Sequence, residues 1–444
     1  MPLDHAASVI VIGAGVAGLA AAGRLARAGV QVTILEARNR IGGRLWTLRD
    51  AAGAPLELGP EWVAATGAVA DLLAQDGAPL TPGVGSHWVR QGAGYRPMQE
   101  APGLHGGLLA RLAGLRGPDL SLTEALGRLE DEPGQRADPA AEAALIRYVE
   151  GFHAADPHRI GLRWLLEVEQ HNSAGTSECR TPSGLDRLLV PLLLEAGGPE
   201  AVRLQVVVKE MAWRPGRVEV HALEGPAGVQ FTGAAVVITV PLSILKASDA
   251  HPAALRFHPP LPPARHAALG RLEMGGAVKV LLRFRRPAWE LVPALRGMGF
   301  LHDFSQAFPT FWTAASGPTD IVAWAGGEQA SRLGAGTPAQ LISRATASLA
   351  GALGLAHDRL DRELVEAHLH DWRSDPFALG AYSYVGVDGL AAQASLAEPV
   401  GDTLFFAGEA TAGGGQNATV EGAIRSGWRA AAEVLGALRG DASP

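Results

Sequence analysis

Apolar runs along this chain change period several times, and each change predicts an element. The β-branched run Ser8–Ile12 predicts a buried parallel strand. An Ala-rich stretch predicts a helix over 16–28 stopping near Gly29, and a second strand, Gln31–Leu35, runs into Glu36. Residues 101–197 read as mainly helical. There, Asp138 caps a helix that has Pro139 at its first position and reaches 154, and Ser183 caps another over 184–196. The pattern then turns to strands over 204–209, 218–222 and 234–240, the first two joined by a hairpin around Pro215-Gly216. Pro259, Pro260, Pro262 and Pro263 make a stiff linker. Beyond it, strands are expected over 275–284, 320–324 and 363–372, with a helix over 337–353 opened by a capping box of Thr337 and Gln340. The last unit is a strand over 403–407, a Gly-rich turn and a helix over 420–438.

Composition narrows the classes. At 444 residues the chain is long enough for two intertwined domains, and a formal net charge of −7 argues against a nucleic-acid or anionic-membrane partner. The single cysteine, Cys179, rules out an internal disulfide and favours the cytoplasm. Neither a signal-peptide pattern at the start nor a hydrophobic tail at the end is present, so a soluble protein, monomeric or homodimeric, is expected. The histidines number 14 without metal-ligand spacing; His368 and His370 are read as structural, and no metal is expected.

The first strand runs into Gly13-Ala14-Gly15-Val16-Ala17-Gly18. In a strand–turn–helix these glycines allow a tight turn, a close approach to pyrophosphate and close helix packing, while free N–H groups at the helix start attract phosphate. Glu36 at the end of the second strand suits the hydroxyls of a ribose and repels a 2′-phosphate. This is a dinucleotide site, and from the glycines alone FAD and NAD are both open.

The residues that follow resolve the choice by resemblance. Glu36-Ala37-Arg38, Gly42-Gly43-Arg44, the Gly59-Pro60-Glu61-Trp62 loop, Phe406-Ala407-Gly408-Glu409 and Thr419-Val420-Glu421-Gly422-Ala423 are similar to the signature blocks of flavin-containing amine oxidases. The likeness covers nearly the whole chain and is strongest at its ends. It implies an α/β protein in which a Rossmann-like FAD-binding domain of glutathione-reductase type (1–77, 198–258 and 390–444) is interwoven with an α+β substrate domain (78–197 and 259–389). It also implies that Gly13, Gly15, Gly18, Glu36, Ala37, Arg38, Gly42, Gly43, Arg44, Gly59, Val207, Trp372, Gly408, Glu409, Thr419 and Val420 hold the cofactor. Ala381 stands where monoamine oxidases carry the cysteine bonded to flavin, which implies non-covalent FAD, and Thr419 stands in place of their second cage tyrosine.

Four residues are the catalytic candidates. Lys279 lies in an otherwise apolar strand, where a charge must find a partner, water or a lowered pKa. A lysine on an edge strand reaching solvent is the plain alternative, whereas the resemblance gives it a water near the flavin N5. By the same likeness Trp372 lies beside the isoalloxazine and Tyr382 forms the aromatic wall of the substrate cavity. Glu61 is either a partner for the substrate ammonium, a proton acceptor, or a solvated loop acid. The implied reaction oxidises an amine to an imine by hydride-equivalent transfer to flavin, with O2 reduced to H2O2. An L-amino-acid oxidase using Arg163, Arg180 or Arg283, a desaturase or porphyrinogen oxidase of the same fold, and a non-catalytic FAD-binding protein stay open as alternatives.

Overall fold

The computed structural model describes residues 8–83, 85–98, 106–131, 137–172 and 178–440. The two chain ends on which the absence of a leader and an anchor was read lie largely outside them, as does part of the stretch read as mainly helical.

The run Ser8–Ile12 is the middle strand of a five-stranded sheet, flanked by Gln31–Leu35 and Ala235–Ile238, with Val202–Arg203 and Leu404–Phe406 at the edges. Every neighbouring pair is parallel. A parallel strand is covered on both faces, which explains its unbroken apolar pattern. On one face lie the helices Val16–Arg27 and Val420–Arg439, which come together where a side chain at Gly427 would meet the Ala17 carbonyl. On the other lies a four-stranded sheet built on Val206–Arg214, Arg217–Glu224 and Ala227–Gly233. The hairpin at Pro215-Gly216 closes with Arg214 opposite Arg217.

A second, seven-stranded sheet has the order Leu364–Asp371, Ala277–Phe284, Asp320–Gly326, Thr310–Thr313, Met298–His302, Ser86–Gln91, Gly94–Pro97. Val278, Val280 and Leu282 point to one face and pack on the helix Pro338–Leu353, whose start carries the expected capping box. The register places Lys279, Trp324, Trp312, Phe300 and His302 on the opposite face. That face looks toward the helix Pro139–Phe152, capped by Asp138 as expected, with the Trp324 indole donating to the Gly151 carbonyl at 2.9 Å.

One expectation fails locally. Ser183 does not cap a helix: Gly184 at φ +92° breaks the entry, a short 3₁₀ turn Leu185–Leu188 follows, and the α-helix begins only at Leu189. The stretch read as mainly helical also holds a short strand, Glu178–Arg180, which pairs with Val63–Ala64 and Thr81–Pro82.

Candidate active site

The Gly13 turn lies at the C-terminal end of the parallel sheet. Gly13 takes φ +103°, open to glycine at no steric cost. A side chain at Gly18 would stand 1.9 Å from the Gly13 carbonyl, so only glycine lets helix and strand approach this closely. Gly15 faces open space and opens the Val16–Arg27 helix without a side-chain cap, leaving its first N–H groups free for phosphate oxygens.

Gly42 bridges to Gly15 and donates to the Ala14 carbonyl at 2.8 Å, which lays the Gly42-Gly43-Arg44 segment along the turn. Glu36 is 4 % exposed and accepts from Ala14 N and Arg38 N, each at 2.8 Å. Burial pushes its carboxyl up against the pull of these donors and of Arg38 and Arg40. Its remaining lone pairs suit two ribose hydroxyls. Val206 and Val208 point into the core, so the half-buried Val207 between them turns outward beside the Glu36 segment, whose carbonyl binds Val206 N. An uncapped helix start, a cradle that only glycine fits and a buried ribose acceptor together match a dinucleotide.

From Arg44 the site continues toward the second sheet. Arg44 Nη1 donates to Glu409 at 2.8 Å and to the Ala381 carbonyl at 2.9 Å. The other oxygen of Glu409 accepts from the Ser383 hydroxyl at 2.6 Å and from Ala418 N at 2.9 Å. Thr419 accepts from Gly422 N and so caps the helix that begins at Val420. Gly408 N donates to the Ser426 hydroxyl, tying the preceding strand to that helix.

Trp372 is buried, its indole donating to the Leu58 carbonyl at 3.0 Å. Its ring meets Trp46 and His370 edge-on. His370 in turn contacts Asp375, and Asp375 pairs with Arg38 at 2.5 Å. Tyr382 hydroxyl donates to the Phe152 carbonyl at 2.7 Å, joining the wall to the helical part, and burial pushes its phenol up.

Lys279 lies in a strand with neighbours on both sides, so it is no edge lysine reaching solvent. It is 2 % exposed, and its ammonium donates to the Gly59 carbonyl at 3.1 Å and to Glu61 Oε2 at 3.2 Å. Glu61 also accepts from Trp312 Nε1 at 2.9 Å and from Arg180 Nη1 at 3.1 Å. Burial alone would raise the Glu61 carboxyl; Lys279, Arg180 and Trp312 outweigh it and hold the group below the ordinary range. The cluster therefore contains two cations, one carboxylate and the indole of Trp312 under the lysine at 5.6 Å.

Sequence reasoning placed Lys279 and Glu61 separately and missed that they pair. It also missed Trp312 and gave Arg180 another use. The signal available was the need of a buried Lys279 for a carboxylate, which the sequence alone does not locate. Among the described residues no group of three His, Cys, Asp or Glu side chains is placed to hold a metal ion, and no helix is long and apolar enough to cross a membrane.

A parallel sheet with a Gly-rich turn at its C-terminal end, a buried Glu36 beside it and a second sheet that carries Lys279 define a mixed α/β fold of the Rossmann-like class. The chain belongs to the flavin-containing amine oxidoreductase family, whose model matches residues 16–435. It is 29 % identical to polyamine oxidase 3 of Oryza sativa subsp. japonica over 97 % of this chain and 89 % of that protein. It is 30 % identical to lysine-specific histone demethylase 1 homolog 2 of the same organism over 98 % of this chain, but spans only 58 % of that longer protein. The fold is that of wild-type putrescine oxidase solved with putrescine (TM-score 0.78, 22 % identity, 97 % of this chain and 99 % of that one). Cyclohexylamine oxidase of Brevibacterium oxydans is equally near (TM-score 0.78, 22 % identity, 98 % and 99 %). The protein is thus a flavin-dependent amine oxidoreductase.

Proposed function

We propose that the chain binds FAD without a covalent bond and oxidises a small amine to an imine, with O2 as the acceptor and H2O2 as the second product. The observation that carries this reading is the buried Lys279–Glu61 pair against the Gly59 carbonyl, one residue from the Leu58 carbonyl that holds Trp372. FAD, when bound, would supply the redox chemistry, as acceptor of the amine's two electrons and their donor to O2. The uncapped helix start at Gly15 receives its pyrophosphate and Glu36 its ribose. The 42–43 segment, whose glycines pack against Leu45, Leu189 and Gly15, would border the remainder, and Arg44 is pinned by Glu409.

The protein's own share is orientation and proton control. Trp372 is fixed by one hydrogen bond and two edge contacts, and Tyr382 by its bond to Phe152, so the two rings present a rigid aromatic wall. Both oxygens of Glu61 are occupied, so we assign it as counter-ion to Lys279, in place of a direct partner for substrate. A fixed positive charge there disfavours a protonated amine and leaves Lys279 to hold a water beside the reacting atoms. The imine is then hydrolysed in water or cyclises.

An α-carboxylate in the substrate would need a free arginine. Arg283 is held by Asp50, Asp320 and Glu366, Arg180 by Glu61, and Arg163 reaches the Gly117 carbonyl at the surface. This supports an amine over an amino acid. Steady-state peroxide release with amines and with their α-carboxylated counterparts tests the choice; turnover of the amino acid alone would reverse it.

A further inference from the structure

The Glu61 carboxylate is saturated with donors. Such a group offers about four lone-pair sites. Arg180 Nη1 at 3.1 Å and Ala315 N at 3.4 Å meet Oε1, while Trp312 Nε1 at 2.9 Å and the Lys279 ammonium at 3.2 Å meet Oε2. Each cation therefore holds one oxygen, where a lysine alone with the carboxylate could take both. The division matters for the lysine, because an ammonium carries three N–H donors. One goes to the Gly59 carbonyl at 3.1 Å and one to Glu61, and among the described residues the third meets no oxygen.

Arg180 is itself held in place. It is 6 % exposed, its Nη1 also donates to the Thr313 carbonyl, and its guanidinium lies 4.5 Å over the Trp62 ring. Trp62 stacks in turn on Phe300 at 5.5 Å. The strand that carries Arg180 pairs with Val63–Ala64, the residues that follow Glu61-Trp62 directly, so backbone pairing keeps the guanidinium beside Glu61. Two more carboxylates lie near. Glu57 acts on Lys279 and Glu61 through space, and Glu178, two residues before Arg180, acts on the Tyr148 phenol. Both stay in place when Arg180 is replaced, so a difference between variants at this position reports Arg180 itself.

Resting on the amine oxidase reading above, we infer that Arg180 is a positioning residue for the reaction: by holding one oxygen of Glu61 it confines the carboxylate's grip on Lys279 to the other. Lys279 thereby keeps its third N–H for a water beside the reacting atoms and keeps positive charge that favours the reduced flavin. Without Arg180, both oxygens of Glu61 turn to the lysine, the third N–H is taken and one positive charge leaves the cluster. Arg180 acts through Glu61 and touches neither substrate nor flavin.

The test uses the holoenzyme with Arg180→Met, which keeps an apolar stem on Trp62, and Arg180→Lys, which keeps the charge. The midpoint potential of the bound flavin is read by dithionite titration against a reference dye, so it needs no amine. Anaerobic rapid mixing with cyclohexylamine and with putrescine gives the limiting reduction rate and the apparent Kd. Arg180→Met is expected to shift the midpoint to more negative values and to lower the limiting rate by roughly fivefold or more, with little change in apparent Kd. Arg180→Lys should recover part of both. In a Glu61→Gln background, where no carboxylate is left to hold, Arg180→Met should lower the rate no further. A midpoint that Arg180→Met leaves unmoved, or a rate loss that simply adds to that of Glu61→Gln, overturns the inference while the amine oxidase reading stands. If Arg180→Met does not retain flavin, Arg180→Gln replaces it: a midpoint for Arg180→Lys nearer the wild type supports the role, and equal midpoints overturn it. A wild-type flavin that neither amine reduces counts against the amine reading, and the midpoint comparison then decides the role of Arg180.

Discussion

Lys279 and Glu61 lie 218 residues apart in sequence and meet at 3.2 Å, their side chains 2 % and 4 % exposed. The Glu61 carboxylate also binds Arg180, so it is shared between two buried cations. Loss of one member of a buried pair commonly costs about 3–5 kcal/mol because the other charge is left without compensation. Here the two losses differ. Lys279→Met leaves Glu61 its arginine and its indole, whereas Glu61→Gln leaves two cations facing one neutral amide. Glu61→Gln is therefore expected to lower the thermal midpoint more than Lys279→Met. The reverse order in calorimetry would show that Arg180 does not share the charge.

Lys279→Met should fold, bind flavin and lose activity. About tenfold or more in turnover is expected from removing a fixed charge beside the reacting atoms. Lys279→Arg should restore part of it, since the charge is kept while its position shifts. Rapid-mixing absorbance separates the two half-reactions, and unchanged rates in both would place Lys279 outside the chemistry.

Glu36→Gln should weaken FAD. A charge-assisted hydrogen bond to a ribose hydroxyl contributes about 1.5–3 kcal/mol, or roughly 10- to 150-fold in Kd. Titration of the apoprotein, followed by flavin fluorescence, reads this directly. Undiminished affinity would remove Glu36 from the ribose site.

Glu57 gives a pH dependence with a definite sign. It is buried, and burial pushes its carboxyl up to about 7 against the pull of Leu185 N, the Thr47 hydroxyl and Lys279. The unfolded chain ionises near 4.5 while the folded chain still holds its proton, so the unfolded state releases a proton that the native state keeps. This contribution to stability falls as pH rises from about 4.5 to about 7 and is level above. Glu57→Gln should melt higher than the wild type at pH 8 and show a smaller or absent advantage at pH 4.5. Parallel melting curves with a constant offset at both pH values would show that Glu57 does not titrate in this window.

Ala381 offers no thiol for a flavin bond, and its carbonyl is taken by Arg44. Acid precipitation of the yellow protein is expected to release all of its flavin into the supernatant. Colour retained in the pellet would point to a covalent bond elsewhere.

How much of this was legible depends on the range of the interaction. The parallel strands, the Gly13 turn and the Thr337 cap are each marked by a pattern a few residues long, and local pattern located them. The Lys279 strand was legible from its apolar run, and a charge within it pointed to a buried partner. Which partner was not legible, because Glu61, Arg180 and Trp312 come from three separate segments joined only by the fold. Ser183 fails for the opposite reason: its capping pattern is local, but the left-handed turn at Gly184 overrides it. Trp312 escaped notice because it shares a face with Lys279 only through cross-strand register.

The most direct measurement is anaerobic mixing of the purified flavoprotein with a panel of amines and matched amino acids while the visible flavin absorbance is followed. The account predicts bleaching by an amine and full return of colour, with one H2O2 per flavin, when air is admitted. A flavin that no amine bleaches, or that only an amino acid bleaches, would contradict it.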